Sequence, residues 1–165
     1  MISTILYKES TINYCRFGNG DKTLFCFHGY GESSDSFLFL ENYLGKEYTI
    51  IAIDFPLHGK TDWKQQIFLP DDLINIIELL KPSKQKISIL AYSMGGRMAL
   101  HLLQTIPQSI ENIGLIAPDG LHLNFWYWLG TQTKMGNNLF KLTTRSGRAP
   151  IRGRGSGLRF WRGGR

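Results

Sequence analysis

The chain has 165 residues, which is enough for one domain with a hydrophobic core and too few for two domains of ordinary size. Its formal net charge of +6 is unevenly placed, because residues 1–144 hold all 13 acidic residues, whereas residues 145–165 hold seven Arg and no acid. The basic character therefore belongs to the last segment, and the rest of the chain gives no electrostatic argument for a nucleic-acid partner.

The sequence also lacks the patterns of secreted, membrane and metal-binding proteins. Its first residues have no basic leader followed by an apolar stretch, and no apolar run reaches about 18 residues. We therefore expect a cytoplasmic location and no membrane partner. Cys15 and Cys26 lie in predicted strands without the spacing of a metal site, so we expect buried core thiols, no metal and no cofactor.

The predicted strands and helices alternate after an initial hairpin. The strands are predicted at residues 3–8, 11–17, 23–27, 48–54, from residue 87, and at 113–117. The helices are predicted at about residues 35–45, from Pro70 to Lys81, and from the turn at residue 93 to just before Pro107. Ser33 or Ser34 has the position of a cap for the first helix, and Asp71 and Asp72 lie at the positive end of the second. This alternation predicts a mostly parallel α/β sheet with sites beyond the carboxyl ends of its strands.

The most informative stretch is Ala91-Tyr92-Ser93-Met94-Gly95-Gly96, a sharp turn between a predicted strand and a predicted helix. Small residues two before and two after the serine are what a nucleophile elbow requires. Such a turn raises the Ser93 hydroxyl above the sheet and directs the Met94 N–H to the same side, at the positive end of the helix. The alternative interpretation is a buried serine in an ordinary loop between strand and helix.

Three segments together resemble the α/β-hydrolases over about residues 4–130, and each follows a predicted strand. They are His28-Gly29-Tyr30-Gly31, residues 54–61, and Ala91 to Gly96. The middle segment is similar to the family's D-x-P-G-H-G-x-S loop and departs from it at Leu57 and Thr61. The resemblance implies an α/β-hydrolase sheet with an N-terminal hairpin.

The resemblance also implies roles for particular residues. Ser93 would be the nucleophile, and the backbone N–H groups of Met94 and Tyr30 would form the oxyanion hole. The residues with a structural role would be His28, Gly29, Ala91, Gly95 and Gly96. The side chains at the substrate would be Tyr30, Tyr92 and Trp126. A serine at the elbow argues against the dehalogenase and epoxide-hydrolase branches. It leaves hydrolysis of a small acyl ester, thioester or amide, or of a carbon–carbon bond, through a Ser93 acyl-enzyme.

The acid and base of the triad are harder to find, because related enzymes place them after later strands, in the order Ser, Asp or Glu, His. The recognisable pattern stops after the sixth strand, so we expect strands seven and eight to be missing and the site to be incomplete. Asp119 is a candidate acid, although residues 118–120 also have the composition of a simple turn. His101 would lie about 12 Å along the helix from Ser93, and His122 is expected in a solvated loop.

The remaining residues divide the chain into three parts: a core at 1–123, a segment at 124–144 and a tail at 145–165. The aromatic residues that open the middle part indicate either the first helix of a cap over the acyl pocket or an ordinary packing helix. The Arg/Gly-rich tail is expected to be disordered. It would tether RNA or an acidic partner, or else is a non-native sequence produced by a change of reading frame.

Two further expectations follow from an incomplete sheet. Its open edge after residue 117 would favour self-association. Without a base, the chain would turn over a small-molecule acyl substrate weakly, so a non-catalytic hydrolase-like binding module is the alternative function.

Overall fold

The computed structural model of the chain describes residues 2–82 and 85–119. The predictions for the 124–144 segment, the basic tail, Trp126 and His122 lie outside the described residues, as does the question of strands seven and eight.

The described residues form a mixed six-stranded sheet flanked by helices. The strands are β1 (Ile2–Tyr7), β2 (Ser10–Phe17), β3 (Lys22–Phe27), β4 (Tyr48–Ile53), β5 (Ile87–Tyr92) and β6 (Ile110–Ile116). The α-helices are α1 (Glu41–Leu44), α2 (Pro70–Leu80) and α3 (Met94–Thr105), and short 3₁₀ helices cover Ser34–Leu40 and Pro107–Ser109. The strand order is β1-β2-β4-β3-β5-β6. The pairings made by β2 are antiparallel, and the others are parallel, which confirms the predicted α/β class.

Alternating side chains divide the core between the two faces of the sheet. On one face, apolar residues of β3, β4 and β5 pack against α2 and α3; they include Phe25, Phe27, Ile51, Ile53, Ile89, Leu73, Ile77 and Leu102. On the other face, residues one position along the same strands pack against the 3₁₀ helix; they include Leu24, Cys26, Ile50, Ala52, Phe37 and Leu40. Period-two burial on both faces is expected of a sheet covered on both sides. Cys15 and Cys26 are buried and free, as predicted.

Two predicted features are wrong in detail. The first helix is a 3₁₀ helix followed by a single α-turn, and neither predicted serine caps it with its hydroxyl. The Ser34 hydroxyl instead donates to Cys15 Sγ, 3.3 Å away. The hairpin turns at Lys8 and Glu9, one residue earlier than expected, with φ of 46° and 61°. Both angles suit the right-handed twist of a two-residue hairpin loop.

A buried carboxylate joins this hairpin to α2. Asp72 accepts hydrogen bonds from Lys8 Nζ at 2.6 Å, from the Tyr7 hydroxyl at 3.0 Å and from the Leu69 N–H at 2.8 Å. Burial raises the pKa of Asp72, but these donors outweigh it and hold the pKa below its ordinary value. The Leu69 bond satisfies a backbone donor at the start of α2, so the predicted acidic start of this helix has a definite partner.

Candidate active site

Ser93 lies in the sharp turn between β5 and α3. Its backbone has φ 48° and ψ −116°, a conformation that residues other than glycine rarely adopt. Three backbone hydrogen bonds hold it: the Ser93 N–H donates to the Ile116 carbonyl at 3.0 Å, and the Ser93 carbonyl accepts from the Gly96 N–H at 2.9 Å and the Asp119 N–H at 3.0 Å. The fixed turn carries the half-buried Ser93 side chain at the carboxyl end of β5.

Close packing explains the small residues around this turn. A Cβ added to Gly95 would lie 2.4 Å from the Phe27 carbonyl oxygen, and one added to Gly96 would lie 2.5 Å from Pro118 Cβ. Ala91 is completely buried in the core. A larger side chain at Gly95 would push α3 away from β3, and one at Gly96 would collide with the segment after β6. The small residues therefore follow from the close approach of the helix to both segments.

The loop after β3 touches the serine turn. A Cβ added to Gly29 would lie 2.9 Å from the Tyr92 ring and 3.3 Å from Ser93 Cβ. The Tyr30 side chain is 79% exposed and Tyr92 is 37% exposed, so both rings are available at the same edge of the sheet. Met94 is the first residue of α3 and packs partly against the core. The structure therefore brings together Gly29, Tyr92 and Ser93, as expected for segments that follow adjacent parallel strands.

His28 is buried, and both of its ring nitrogens are engaged. The Phe55 N–H donates to Nε2 at 3.0 Å, which requires an unprotonated Nε2 and leaves the proton on Nδ1. Nδ1 then donates to the Gly29 carbonyl at 2.7 Å. Burial lowers the pKa of His28 below its ordinary value, so the neutral ring is favoured. A ring used in this way has no nitrogen left to accept a proton from Ser93.

The hydrogen-bond network around Asp54 was not predicted from the sequence. This buried carboxylate accepts hydrogen bonds from the Ser34 N–H at 2.6 Å, the Asn13 side chain at 2.7 Å and the Lys60 N–H at 2.8 Å. Burial raises the pKa of Asp54, but the three donors hold it below its ordinary value. Gly59 packs against the carboxylate with φ 53°, and a Cβ there would lie 1.9 Å from Asp54 Oδ2. The D-x-P-x-H-G spacing could have suggested a loop closing on its own aspartate, but nothing marked Asn13.

His58 belongs to the loop that follows Asp54, and its ring contacts that of Tyr30. Its Nδ1 lies 2.9 Å from the Pro56 carbonyl oxygen. Its ring centroid lies 5.1 Å from that of His28 and 5.5 Å from that of Tyr30, the latter in an edge-on contact. Leu57, where the family motif has glycine, has φ 67° and an exposed side chain. The departure noted in the sequence thus falls at a position where the backbone favours glycine.

Asp119 is the described side chain in contact with the Ser93 hydroxyl. Its Oδ1 lies 3.5 Å from Ser93 Oγ, at the outer limit for a hydrogen bond. Among residues 2–82 and 85–119, no histidine shares a hydrogen bond with this hydroxyl. In a catalytic triad the acid normally orients an imidazole and not the nucleophile itself. This contact therefore differs from the role of triad acid, for which Asp119 was a candidate.

Two negative observations apply to the described part of the chain. It contains no group of three or more His, Cys, Asp or Glu side chains that could hold a metal ion. None of its helices is both long and apolar enough to cross a membrane.

A six-stranded, mostly parallel sheet with a serine in a strained turn after its fifth strand defines the class of protein. A family model described as "alpha/beta hydrolase fold" matches residues 22–144, and the chain belongs to that family. A solved thioesterase domain from the curacin biosynthetic pathway has the same fold, with a TM-score of 0.69 at 16% identity over 92% of this chain and 56% of that one.

Two curated relatives carry the name dihydrolipoyllysine-residue acetyltransferase component of acetoin cleaving system. The protein from Cupriavidus necator is 27% identical over 66% of this chain and 30% of its own length. The protein from Pseudomonas putida is 30% identical over 75% of this chain and 35% of its own length. The chain therefore spans about a third of the length of these relatives.

Proposed function

We propose that Ser93 is the nucleophile of an acyl hydrolase that acts on an ester or thioester. The observation that carries this proposal is the backbone of Ser93, held at φ 48° and ψ −116° between β5 and α3. Strain of this kind persists where surrounding structure imposes it, and a nucleophile elbow is a known use for it. Ser93 Oγ would attack the carbonyl carbon and expel the alcohol or thiol, and water would then cleave the acyl-serine ester.

The proposed oxyanion hole consists of the N–H groups of Met94 and Tyr30. Met94 is the first residue of α3, where backbone N–H groups have no partner inside the helix. Tyr30 follows Gly29, whose Cα approaches both Tyr92 and Ser93. Each such donor can contribute roughly 3 kcal/mol to stabilising the tetrahedral intermediate.

The names of related proteins support acyl chemistry in general terms. Two curated relatives are named for acetyl transfer, and one solved neighbour is named as a thioesterase. The exposed rings of Tyr30 and Tyr92 would meet the substrate.

A non-catalytic binding module is the second candidate function, and the contact between Ser93 and Asp119 favours it. Within the described ranges the hydroxyl meets a carboxylate and not an imidazole. Serine without a suitable base is a poor nucleophile. We therefore expect weak or no turnover of p-nitrophenyl acetate by the 165-residue chain.

Labelling by a fluorophosphonate probe separates the two functions, because the probe reacts with an activated serine. The test compares the unaltered chain with Ser93→Ala and with Ser36→Ala, which alters an exposed serine in the 3₁₀ helix. Labelling that is lost in Ser93→Ala and kept in Ser36→Ala supports the hydrolase. Absence of labelling in all three proteins supports the binding module, and labelling that persists in Ser93→Ala contradicts the nucleophile.

A further inference from the structure

We propose that Asp54 is a positioning residue that fixes the oxyanion loop, defined as residues 28–33, from both of its ends and from its middle. This inference rests on the proposed function, in which the Tyr30 N–H of this loop is an oxyanion donor. It assigns to the buried carboxylate directly after β4 the task of holding a backbone donor that belongs to the loop after β3.

The C-terminal end of the oxyanion loop is held by the carboxylate directly. Ser34 follows the loop and begins the 3₁₀ helix, and its N–H donates to Asp54 Oδ1 at 2.6 Å. The first N–H groups of a helix have no partner within it. Because the hydroxyls of Ser33 and Ser34 do not cap the helix, the Asp54 carboxylate takes the place of a local cap.

The N-terminal end of the loop is held through the residue next to Asp54. The Phe55 N–H donates to His28 Nε2 at 3.0 Å, and His28 Nδ1 donates to the Gly29 carbonyl at 2.7 Å. The Asp54 N–H donates to the Asn13 carbonyl at 2.9 Å, which fixes the backbone at the end of β4. The peptide that joins Asp54 to Phe55 is thereby anchored before it meets His28.

The middle of the oxyanion loop is held by residues 58–60, a segment that contacts the Asp54 carboxylate. Asp54 Oδ2 accepts the Lys60 N–H at 2.8 Å, and Gly59 packs against the carboxylate. This contact places His58, whose ring lies 5.5 Å from the Tyr30 ring, centroid to centroid. Tyr30 itself is mostly exposed, so the His58 ring is a lateral support for it.

A carboxylate is required because three N–H groups converge on two oxygens. Oδ1 accepts from Ser34, and Oδ2 accepts from both Asn13 and Lys60. An asparagine has one oxygen and one NH₂ group, so in either orientation its NH₂ would face at least one of these donors. The lowered pKa of Asp54 agrees with an ionised carboxylate serving all three.

The first measurement does not depend on catalysis. Amide hydrogen exchange would be followed by NMR in the 165-residue chain for Asp54→Asn and for Asn13→Ala, which removes one donor but leaves the Ser34 bond. In Asp54→Asn we expect exchange at Gly29, Glu32 and Ser34, whose N–H groups are hydrogen-bonded, to accelerate about tenfold more than at Phe25 and Ile51 in the core. In Asn13→Ala the loop and the core should change together. Equal acceleration of loop and core in Asp54→Asn would overturn the proposal.

A second pair of variants keeps the test available if Asp54→Asn does not fold. Ser34→Pro removes the N–H that Asp54 accepts together with the hydroxyl that donates to Cys15. Proline is tolerated at the first position of a helix, and Ser33 already has the extended backbone that precedes proline. Ser34→Ala keeps the N–H and removes the hydroxyl. Loop exchange at Gly29 and Glu32 should rise in Ser34→Pro and not in Ser34→Ala. Identical behaviour of the pair would overturn the proposal.

The fluorophosphonate reaction then links the position of the loop to the site. Displacement of a catalytic group by about 1 Å can cost roughly 100-fold in rate, so we expect the labelling rate of Ser93 to fall roughly 10- to 100-fold in Ser34→Pro relative to Ser34→Ala. A rate that is unchanged while the loop amides open would overturn the role in positioning. If the unaltered chain is not labelled, the proposed function fails, and the exchange data alone decide whether Asp54 holds the loop.

Discussion

Two buried aspartates, Asp54 and Asp72, each accept a backbone N–H at the start of a helix. They differ in how far along the chain the donor lies from the carboxylate. Asp72 accepts the N–H of Leu69, three residues before it in the chain. Asp54 accepts the N–H of Ser34, 20 residues before it and in another element. Each carboxylate supplies a partner for a backbone donor that the helix cannot satisfy.

The other donors to these two carboxylates differ in kind. Asp72 meets the Lys8 ammonium and the Tyr7 hydroxyl, which belong to side chains that can rotate. Asp54 meets the Lys60 N–H and the Asn13 amide, together with the Ser34 N–H. Two of those three donors are backbone N–H groups, which reach the carboxylate only when the loops are folded. The comparison indicates that Asp72 joins elements, whereas Asp54 sets the shape of loops at the candidate site.

The comparison predicts that Asp54→Asn costs more stability than Asp72→Asn. At Asp54 at least one fixed N–H loses its acceptor, and we expect a loss of about 3 kcal/mol in the free energy of unfolding. At Asp72 an asparagine can turn its oxygen to the Leu69 N–H and its NH₂ to the Tyr7 hydroxyl, and we expect about 1–2 kcal/mol. Urea denaturation at pH 7 measures both, and a larger loss for Asp72→Asn would contradict the assignment of roles.

The lowered pKa values of the buried groups predict a stability that falls in two stages with acid. The pKa of His28 lies below its ordinary 6.5, so below about pH 6.5 the unfolded chain binds a proton that the folded chain refuses, at a cost of up to about 1.4 kcal/mol per pH unit. The contributions of Asp54 and Asp72 are fully present above the ordinary 3.8 and are lost as the pH falls through their lower folded values.

Urea denaturation at several pH values tests both stages. His28→Gln keeps an acceptor for the Phe55 N–H but does not titrate, so it should flatten the decline that begins near pH 6.5. Asp54→Asn should leave that decline in place and reduce the loss that occurs below about pH 3.8. A stability that is constant from pH 7 to pH 4 in the unaltered chain would contradict the burial of a neutral His28.

The range of these contacts also explains how much of the molecule the sequence could predict. The sheet, the hairpin, α2 and the turn at Ser93 were predictable because periodicity, turn composition and small residues are local signals. Asp72 was predictable as an acid at a helix start. The cap of the 3₁₀ helix was not, because its acceptor is Asp54, directly after β4, and not the hydroxyl of Ser33 or Ser34. Likewise, the resemblance implied a structural role for His28, but no local signal indicated that the Phe55 N–H donates to its ring.

Leu57→Gly is predicted to stabilise the chain, although it removes a large side chain. Leu57 has φ 67° and is 69% exposed, so glycine relieves backbone strain and gives up little buried surface. After the larger entropy of an unfolded glycine is included, we expect a gain of about 0.5 kcal/mol. Thermal and urea denaturation measure it. Leu79→Gly is the matched control, since Leu79 is similarly exposed but helical, and there the same change should cost about 1 kcal/mol.

The smallest effect is expected for Ser33→Ala. Replacing a serine at a helix N-cap usually costs about 1 kcal/mol, because the hydroxyl accepts an N–H of the first turn. Ser33 has that position but makes no such bond: Asp54 holds the start of the helix through the Ser34 N–H, and the Ser36 N–H donates to the Ser33 carbonyl at 3.1 Å. We therefore expect a change below about 0.5 kcal/mol in the free energy of unfolding. In an Asp54→Asn background the helix start is no longer held by that carboxylate, and the Ser33 hydroxyl is free to accept an N–H of the first turn, from Asp35 or Ser36. There Ser33→Ala should cost more than it does alone, and a double-mutant cycle that finds strict additivity would contradict the capping of this helix by Asp54.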